Sequence, residues 1–183
     1  MEGKEVELEL LYSKEEIAQR VKALADQISR DYPDGEVMFL GILKGAFIFL
    51  ADLVRSLSIP SPRIEFVGLS SYGLEAESSR TIAVTRELPI SVEGKDVITV
   101  EDIIDTGLTL QFLLEELRAK RPRSLKVCAL IDKKSRREVA MTPDYVGFEL
   151  QEGFIVGYGI DYAERYRHLP AIYRVRPSTN LKE

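Results

Sequence analysis

The near-continuous apolar run from Val37 to Ile42 leaves few architectures open to this chain. A strand wetted on one side alternates apolar and polar residues, so a run without alternation suits a central parallel strand covered on both faces. Leu125 to Ile131 forms a second run of this kind, and Val97-Ile98-Thr99-Val100 is a β-branched stretch of the same character. Between them lie segments of helical period. Ser13 with Glu16 has the form of a capping box, Ile17, Val21, Leu24 and Ile28 then share one face, and Tyr32-Pro33-Asp34-Gly35 stops the helix. A second helix runs through Phe47, Leu50, Leu53 and Val54, and a third through Leu110, Leu113, Leu114 and Leu117 up to Arg121-Pro122. Strands alternating with helices predict an α/β fold.

Val6 to Leu10 alternates and predicts a short first strand, Ile64 to Leu69 another, and Ile82-Ala83-Val84 the start of a returning one. Ser70-Ser71-Tyr72 through Arg80 is polar and poor in core-forming residues, which predicts a mobile loop. Toward the end, Val146 to Glu149 and Phe154 to Tyr162 combine apolar positions with glycines, as strands near a hairpin do. A chain of 183 residues, 45% hydrophobic and 30% charged, is enough for one domain spanning residues 1–183, with no linker, repeat or low-complexity stretch. The lone Cys128 lies in an apolar run and reads as a core residue. Neither a leader peptide nor a membrane-spanning run is evident, which makes a cytoplasmic, membrane-free protein the expectation. The net charge of −5 offers nucleic acid no general attraction, so an anionic ligand must be met by a local site.

Such a site is visible where the strand beginning at Val97 gives way to the third helix. The junction reads Val100-Glu101-Asp102-Ile103-Ile104-Asp105-Thr106-Gly107-Leu108-Thr109. Consecutive backbone N–H groups at a helix start, with the hydroxyls of Thr106 and Thr109 beside them, suit a phosphate, and Gly107 lets the backbone come close to it. Glu101 and Asp102 would repel a bare phosphate unless a cation such as Mg²⁺ stood between. A phosphorylated sugar with its metal therefore fits better than a nucleotide phosphate alone, and the loop lacks the lysine of an ordinary NTPase P-loop.

This pattern of two hydrophobic positions, two acids, two hydrophobic positions and Asp-Thr-Gly-x-Thr resembles the phosphoribosyl pyrophosphate signature of the type I phosphoribosyltransferases. Val-Glu-Asp-Ile-Ile-Asp-Thr-Gly is most similar to the hypoxanthine-guanine members, and the likeness extends from about Ser13 to about Val175. The resemblance implies an open, twisted, mainly parallel sheet flanked by helices, with a small hood built from the terminal segments and a flexible lid loop. It implies conversion of hypoxanthine or guanine and phosphoribosyl pyrophosphate to IMP or GMP and pyrophosphate. It also implies Mg²⁺ as cofactor and a homo-oligomer, dimer or tetramer, with no nucleic acid or membrane partner.

Residue by residue, the resemblance gives Lys44 and Gly45 the pyrophosphate loop, often made with a non-proline cis peptide. Glu101 and Asp102 receive the ribose hydroxyls and metal, Asp105 to Thr109 the 5′-phosphate, and Arg167 pyrophosphate. Asp105 is the implied catalytic acid–base group. Lys133 matches the lysine that donates to the purine 6-oxygen and so rejects adenine. Phe154 matches the aromatic that stacks on the base, Ile155 the residue whose backbone reads it, and Asp161 a water-mediated metal contact beside the purine. Ser71 and Tyr72 fall at the lid. In the basic run Lys133-Lys134-Ser135-Arg136-Arg137, residues other than Lys133 read as a solvated turn, and His168 carries no catalytic mark. A xanthine-preferring relative and an RNA-binding regulator on the same fold are the alternatives; the acidic balance and Asp105 count against the second.

Overall fold

The computed structural model describes residues 6–72, 81–86 and 91–177. Nine strands and three helices occur among them: β1 (Val6–Tyr12), α1 (Lys14–Asp31), β2 (Val37–Leu43), α2 (Phe47–Ser56), β3 (Arg63–Tyr72), β4 (Thr81–Arg86), β5 (Asp96–Ile104), α3 (Leu108–Ala119), β6 (Ser124–Lys133), β7 (Tyr145–Leu150), β8 (Ile155–Val156) and β9 (Ile172–Pro177). Six strands form one sheet in the order β4-β3-β2-β5-β6-β7. All neighbours in it are parallel except β4, which runs antiparallel to β3 at the edge. The second sheet, β1-β9-β8, is antiparallel and joins segments from both ends of the chain, as the expected hood does.

Both faces of the large sheet are covered, which explains the apolar runs. Val37 and Phe39 of β2 join Ile17, Val21, Leu24 and Leu53 of α1 and α2 in one core cluster. Met38, Leu40 and Ile42, the alternate residues of the same strand, join Leu110, Leu113, Leu114 and Leu117 of α3 in the other. The period-2 pleat thus sends successive side chains into two separate apolar layers. Cys128 belongs to the first layer, fully buried and free, and burial pushes its thiol pKa up, so it is inert. No described helix is long and apolar enough to cross a membrane.

Helix α1 starts as its sequence predicts: Ser13 Oγ accepts from the Glu16 N–H at 3.2 Å, and the Glu16 carboxylate accepts from the Ser13 N–H at 2.8 Å. Arg20 then reaches across to the edge strand β7, donating to the carbonyls of Gly147 and Val146. The first three residues of the expected mobile loop are strand instead. Ser70, Ser71 and Tyr72 continue β3, pairing with Ala83, Ile82 and Thr81 of β4, because the antiparallel partner extends the ladder beyond the parallel part of the sheet. Residues 73–80, the rest of that loop, lie outside the described residues, as do the side chains of Ser71 and Tyr72.

Candidate active site

The carboxyl ends of β2, β5 and β6 converge where ligands to open α/β sheets bind. A cleft there is lined by Leu69, Glu101, Asp105, Thr106, Gly107 and Thr109 among others. Gly107 holds φ 84° and is the residue from which α3 departs, with Leu108 opening the helix. A side chain at Gly107 would be strained, and its Cβ would come within 2.6 Å of Val139 Cγ2. The loop therefore presents the backbone of Asp105 to Thr109 at the positive end of α3, with the Val139 and Arg137 side chains packed against its tightest point.

On the neighbouring strand, the peptide between Leu43 and Lys44 is cis, one bond before the Lys44-Gly45 peptide. A Cβ on Gly45 would lie 1.9 Å from Asp102 Oδ2, so only glycine allows this loop to pass so close to β5. Asp102 is 8% exposed, and burial pushes its pKa up to about 6 against the opposing pull of the Ile103 and Asp102 backbone N–H groups and the Arg167 charge. Glu101 is raised as well, first by burial and then by the adjacent Asp102 carboxylate. Two acids side by side resist ionisation together, which is the electrostatic setting a divalent cation relieves.

Asp105 meets Lys133 across the β5–β6 pair, where Ile104 faces Asp132 in register. Lys133 Nζ stands 3.4 Å from Asp105 Oδ1, close enough for an ion pair but not aligned for a hydrogen bond, so Oδ1 is buried without a hydrogen-bond partner. Arg136 Nη1 holds the other oxygen at 3.2 Å. Lys133 is the last residue of β6 and only 7% exposed, where a solvated lysine would be open to water. Its ammonium is held beside the acid.

Arg167 and Lys44 approach from a second direction. Arg167 donates from Nη1 to the Gly159 carbonyl at 2.8 Å and pairs through Nη2 with Asp161 Oδ1 at 2.8 Å. Lys44 Nζ pairs with Glu164 Oε2 at 2.9 Å, and this bond holds the Glu164 carboxyl below its usual range. The turn that makes these pairs possible carries three non-glycine residues at positive φ, Ala163, Glu164 and Tyr166. Asp161 also accepts from the Glu164 N–H, so its carboxylate serves the turn before any ligand. Among the described residues, no three Asp, Glu, His or Cys side chains gather into a metal-binding cluster, so Glu101, Asp102 and Asp161 do not form one closed cage.

Phe154 is 49% exposed, which rules out the core role its neighbours could have given it. It packs edge-on to Tyr162 with ring centroids 5.3 Å apart, and Ile155 behind it is buried and paired with Arg174 of the hood. Two residues here escaped the sequence reading. Glu164 is one, an acid in a turn whose approach to Lys44 no local pattern announces. Arg137 is the other: in place of a solvated turn, its side chain is 14% exposed and hydrogen-bonded throughout.

Residues 8–163 match the family model described as the phosphoribosyl transferase domain. The chain belongs to the phosphoribosyl transferase family. Within that family it groups with the hypoxanthine-guanine phosphoribosyltransferases. It is 47% identical to the Aquifex aeolicus protein of that name over 169 residues, covering 92% of this chain and 94% of the relative. Identity to the Dictyostelium discoideum protein of that name is 45% over 165 residues, covering 88% and 92%. A crystal structure of a hypoxanthine-guanine phosphoribosyltransferase from Bacillus anthracis superposes with a TM-score of 0.86 at 43% identity, covering 94% of this chain and 99% of that one. The phosphoribosyl transferase sheet and hood inferred from sequence are thus the ones the fold has.

Proposed function

We propose that this phosphoribosyltransferase transfers the phosphoribosyl group of phosphoribosyl pyrophosphate to hypoxanthine or guanine, yielding IMP or GMP and pyrophosphate in purine salvage. A ring nitrogen of the purine forms a bond to the anomeric carbon while the bond from that carbon to the pyrophosphate oxygen breaks, its electron pair leaving with pyrophosphate. The observation that carries the reading is the pair Asp105–Lys133, a proton acceptor and a buried donor 3.4 Å apart beside the phosphate-type loop. Lys133 would donate to the purine 6-oxygen and turn away an amino group there. Asp105, with one oxygen lacking a hydrogen-bond partner, would take the proton from the ring nitrogen.

The remaining roles follow the loops. Backbone N–H groups from Asp105 to Thr109, including those of Thr106, Gly107 and Leu108, would hold the 5′-phosphate. Lys44, Gly45 and Arg167 would stabilise the charge on departing pyrophosphate, for which Lys44 and Arg167 must exchange their carboxylate partners for phosphate oxygens. Glu101 and Asp102 fit Mg²⁺, which takes one or two carboxylates together with substrate oxygens rather than an all-protein cage. Bound there, Mg²⁺ would neutralise charge on the sugar pyrophosphate and order its oxygens. We assign Asp161 a water-mediated part in the same site. Phe154 would stack on the base and the Ile155 backbone would read it. Ser71 and Tyr72, which follow the cleft residue Leu69, would close over the site and keep water from the cationic sugar.

The same reading makes the enzyme a cytoplasmic homo-oligomer of two or four chains that binds no nucleic acid. Pyrophosphate release should be followed with phosphoribosyl pyrophosphate, Mg²⁺ and each of hypoxanthine, guanine, xanthine, adenine and uracil. Turnover with the first two and little with adenine or uracil is expected. Fastest turnover with xanthine would reassign the substrate, and no turnover with any base would refute the transfer reaction.

A further inference from the structure

Arg137 donates to acceptors on both strands that form the reaction centre. Nε donates to the Asp105 carbonyl at 3.1 Å, and Nη2 to the Ile104 carbonyl at 3.2 Å and the Lys133 carbonyl at 3.1 Å. Nη2 also pairs with the Asp132 carboxylate, and Nη1 holds the Met141 carbonyl at 3.0 Å, which anchors the guanidinium's own loop. The side chains of Arg137 and Asp132 are 14% and 6% exposed, so the pair is almost out of water.

The placement of these acceptors matters more than their number. Ile104 and Asp132 are the last register partners of the β5–β6 ladder, and beyond them the two strands no longer bind each other. Past that point one chain must lead to Asp105 and the phosphate loop while the other carries Lys133. A planar fork of donors bridges the gap where ladder hydrogen bonds stop. Glu138 adds a second tie, its N–H donating to the Thr106 carbonyl at 2.9 Å. Arg137 Cδ also lies 3.3 Å from where a Gly107 Cβ would be, so the side chain passes over the phosphate loop itself.

We propose that Arg137 is a positioning residue for purine recognition: it sets the spacing between Asp105 and Lys133, and so fixes how the base is held between proton acceptor and 6-oxygen donor. Lysine cannot replace it, because a single ammonium has no fork with which to span carbonyls on two strands. This inference rests on the assignment of Asp105 and Lys133 to the base.

The test is steady-state kinetics on Arg137→Lys and Arg137→Ala in the full chain, with Arg137→Ala repeated in a Lys133→Ala background. A Michaelis constant does not depend on the fraction of enzyme that folds, so partial misfolding leaves the readout intact. The KM for hypoxanthine should rise at least about tenfold in both single variants, and added guanidinium should reverse part of the rise in Arg137→Ala. In the Lys133→Ala background the further change should be less than about twofold, since Arg137 would have no lysine left to position. An unmoved hypoxanthine KM, or an equal rise with and without Lys133, overturns the proposal while leaving the transferase reading in place. Failure of the unaltered chain to use hypoxanthine overturns both.

Discussion

Replacing Asp102 by asparagine should stabilise the protein in the absence of divalent cations, and only at neutral or alkaline pH. Burial raises the Asp102 carboxyl from 3.8 to about 6 in the folded protein. The folded state keeps its proton through that window and the unfolded chain does not, so the unaltered protein loses stability as pH rises through it. At roughly 1.4 kcal/mol per pH unit, the loss is about 3 kcal/mol and is complete above about pH 7. Asparagine cannot ionise and does not share it. Removing the Asp102 charge also eases ionisation of Glu101, which the neighbouring carboxylate opposes, so the second acid adds to the gain with the same sign.

Two of the influences on Asp102 are hydrogen bonds from the backbone N–H groups of Ile103 and Asp102, which the amide keeps only in part. The expected net gain is therefore about 1–3 kcal/mol at pH 8, or roughly 2–12 °C in Tm for a chain of this size. Thermal unfolding of both proteins in EDTA, from about pH 4 to pH 8, measures it, with no difference expected at the acid end, where a protonated carboxyl and an amide are near isosteres. A Tm difference that is the same at both ends, or a variant less stable at pH 8, would refute the electrostatic account of this site.

Asp105→Asn should lower turnover roughly 10²–10⁴-fold while changing the binding of phosphoribosyl pyrophosphate and hypoxanthine only slightly, measured by single-turnover kinetics and calorimetry; equal losses in both would make Asp105 structural. Gly45→Ala places a methyl 1.9 Å from Asp102 Oδ2 and should cost about 1–3 kcal/mol in urea unfolding, together with a higher KM for phosphoribosyl pyrophosphate. Leu117→Ala empties a fully buried site between α3 and the sheet and should cost about 2–5 kcal/mol by the same assay, with both KM values unchanged.

What could be read from sequence was what short-range physics writes into it. Val37 to Ile42 announces a strand covered on both sides because each of its residues faces an apolar layer. Ser13 and Glu16 announce a helix start because their hydrogen bonds close within four residues. The Glu101–Thr109 motif was legible because one strand-to-helix junction supplies acids, amides and glycine together. The extension of β3 to Tyr72 was not, since the residues there are held by backbone pairing with β4, a strand from further along the chain. Arg137 and Glu164 were missed for a related reason. The Lys44 partner of Glu164 and the β5-side carbonyl partners of Arg137 lie on segments distant in sequence, and a charged residue in a turn has the same local pattern whether it meets solvent or the backbone of another strand.

The hood has a consequence for how the enzyme is made. The strand before the helices, β1, pairs with β9, which also pairs with β8. The β1–β9 pairing joins residues about 160–170 positions apart, and closing so long a loop carries a high entropic cost. On a ribosome, β2, β5 and β6 can pair as soon as Lys133 has emerged, whereas β1 has no partner until Ile172 to Pro177 is out. The nascent chain can therefore assemble the Glu101–Thr109 junction and Lys133 before the hood is able to form.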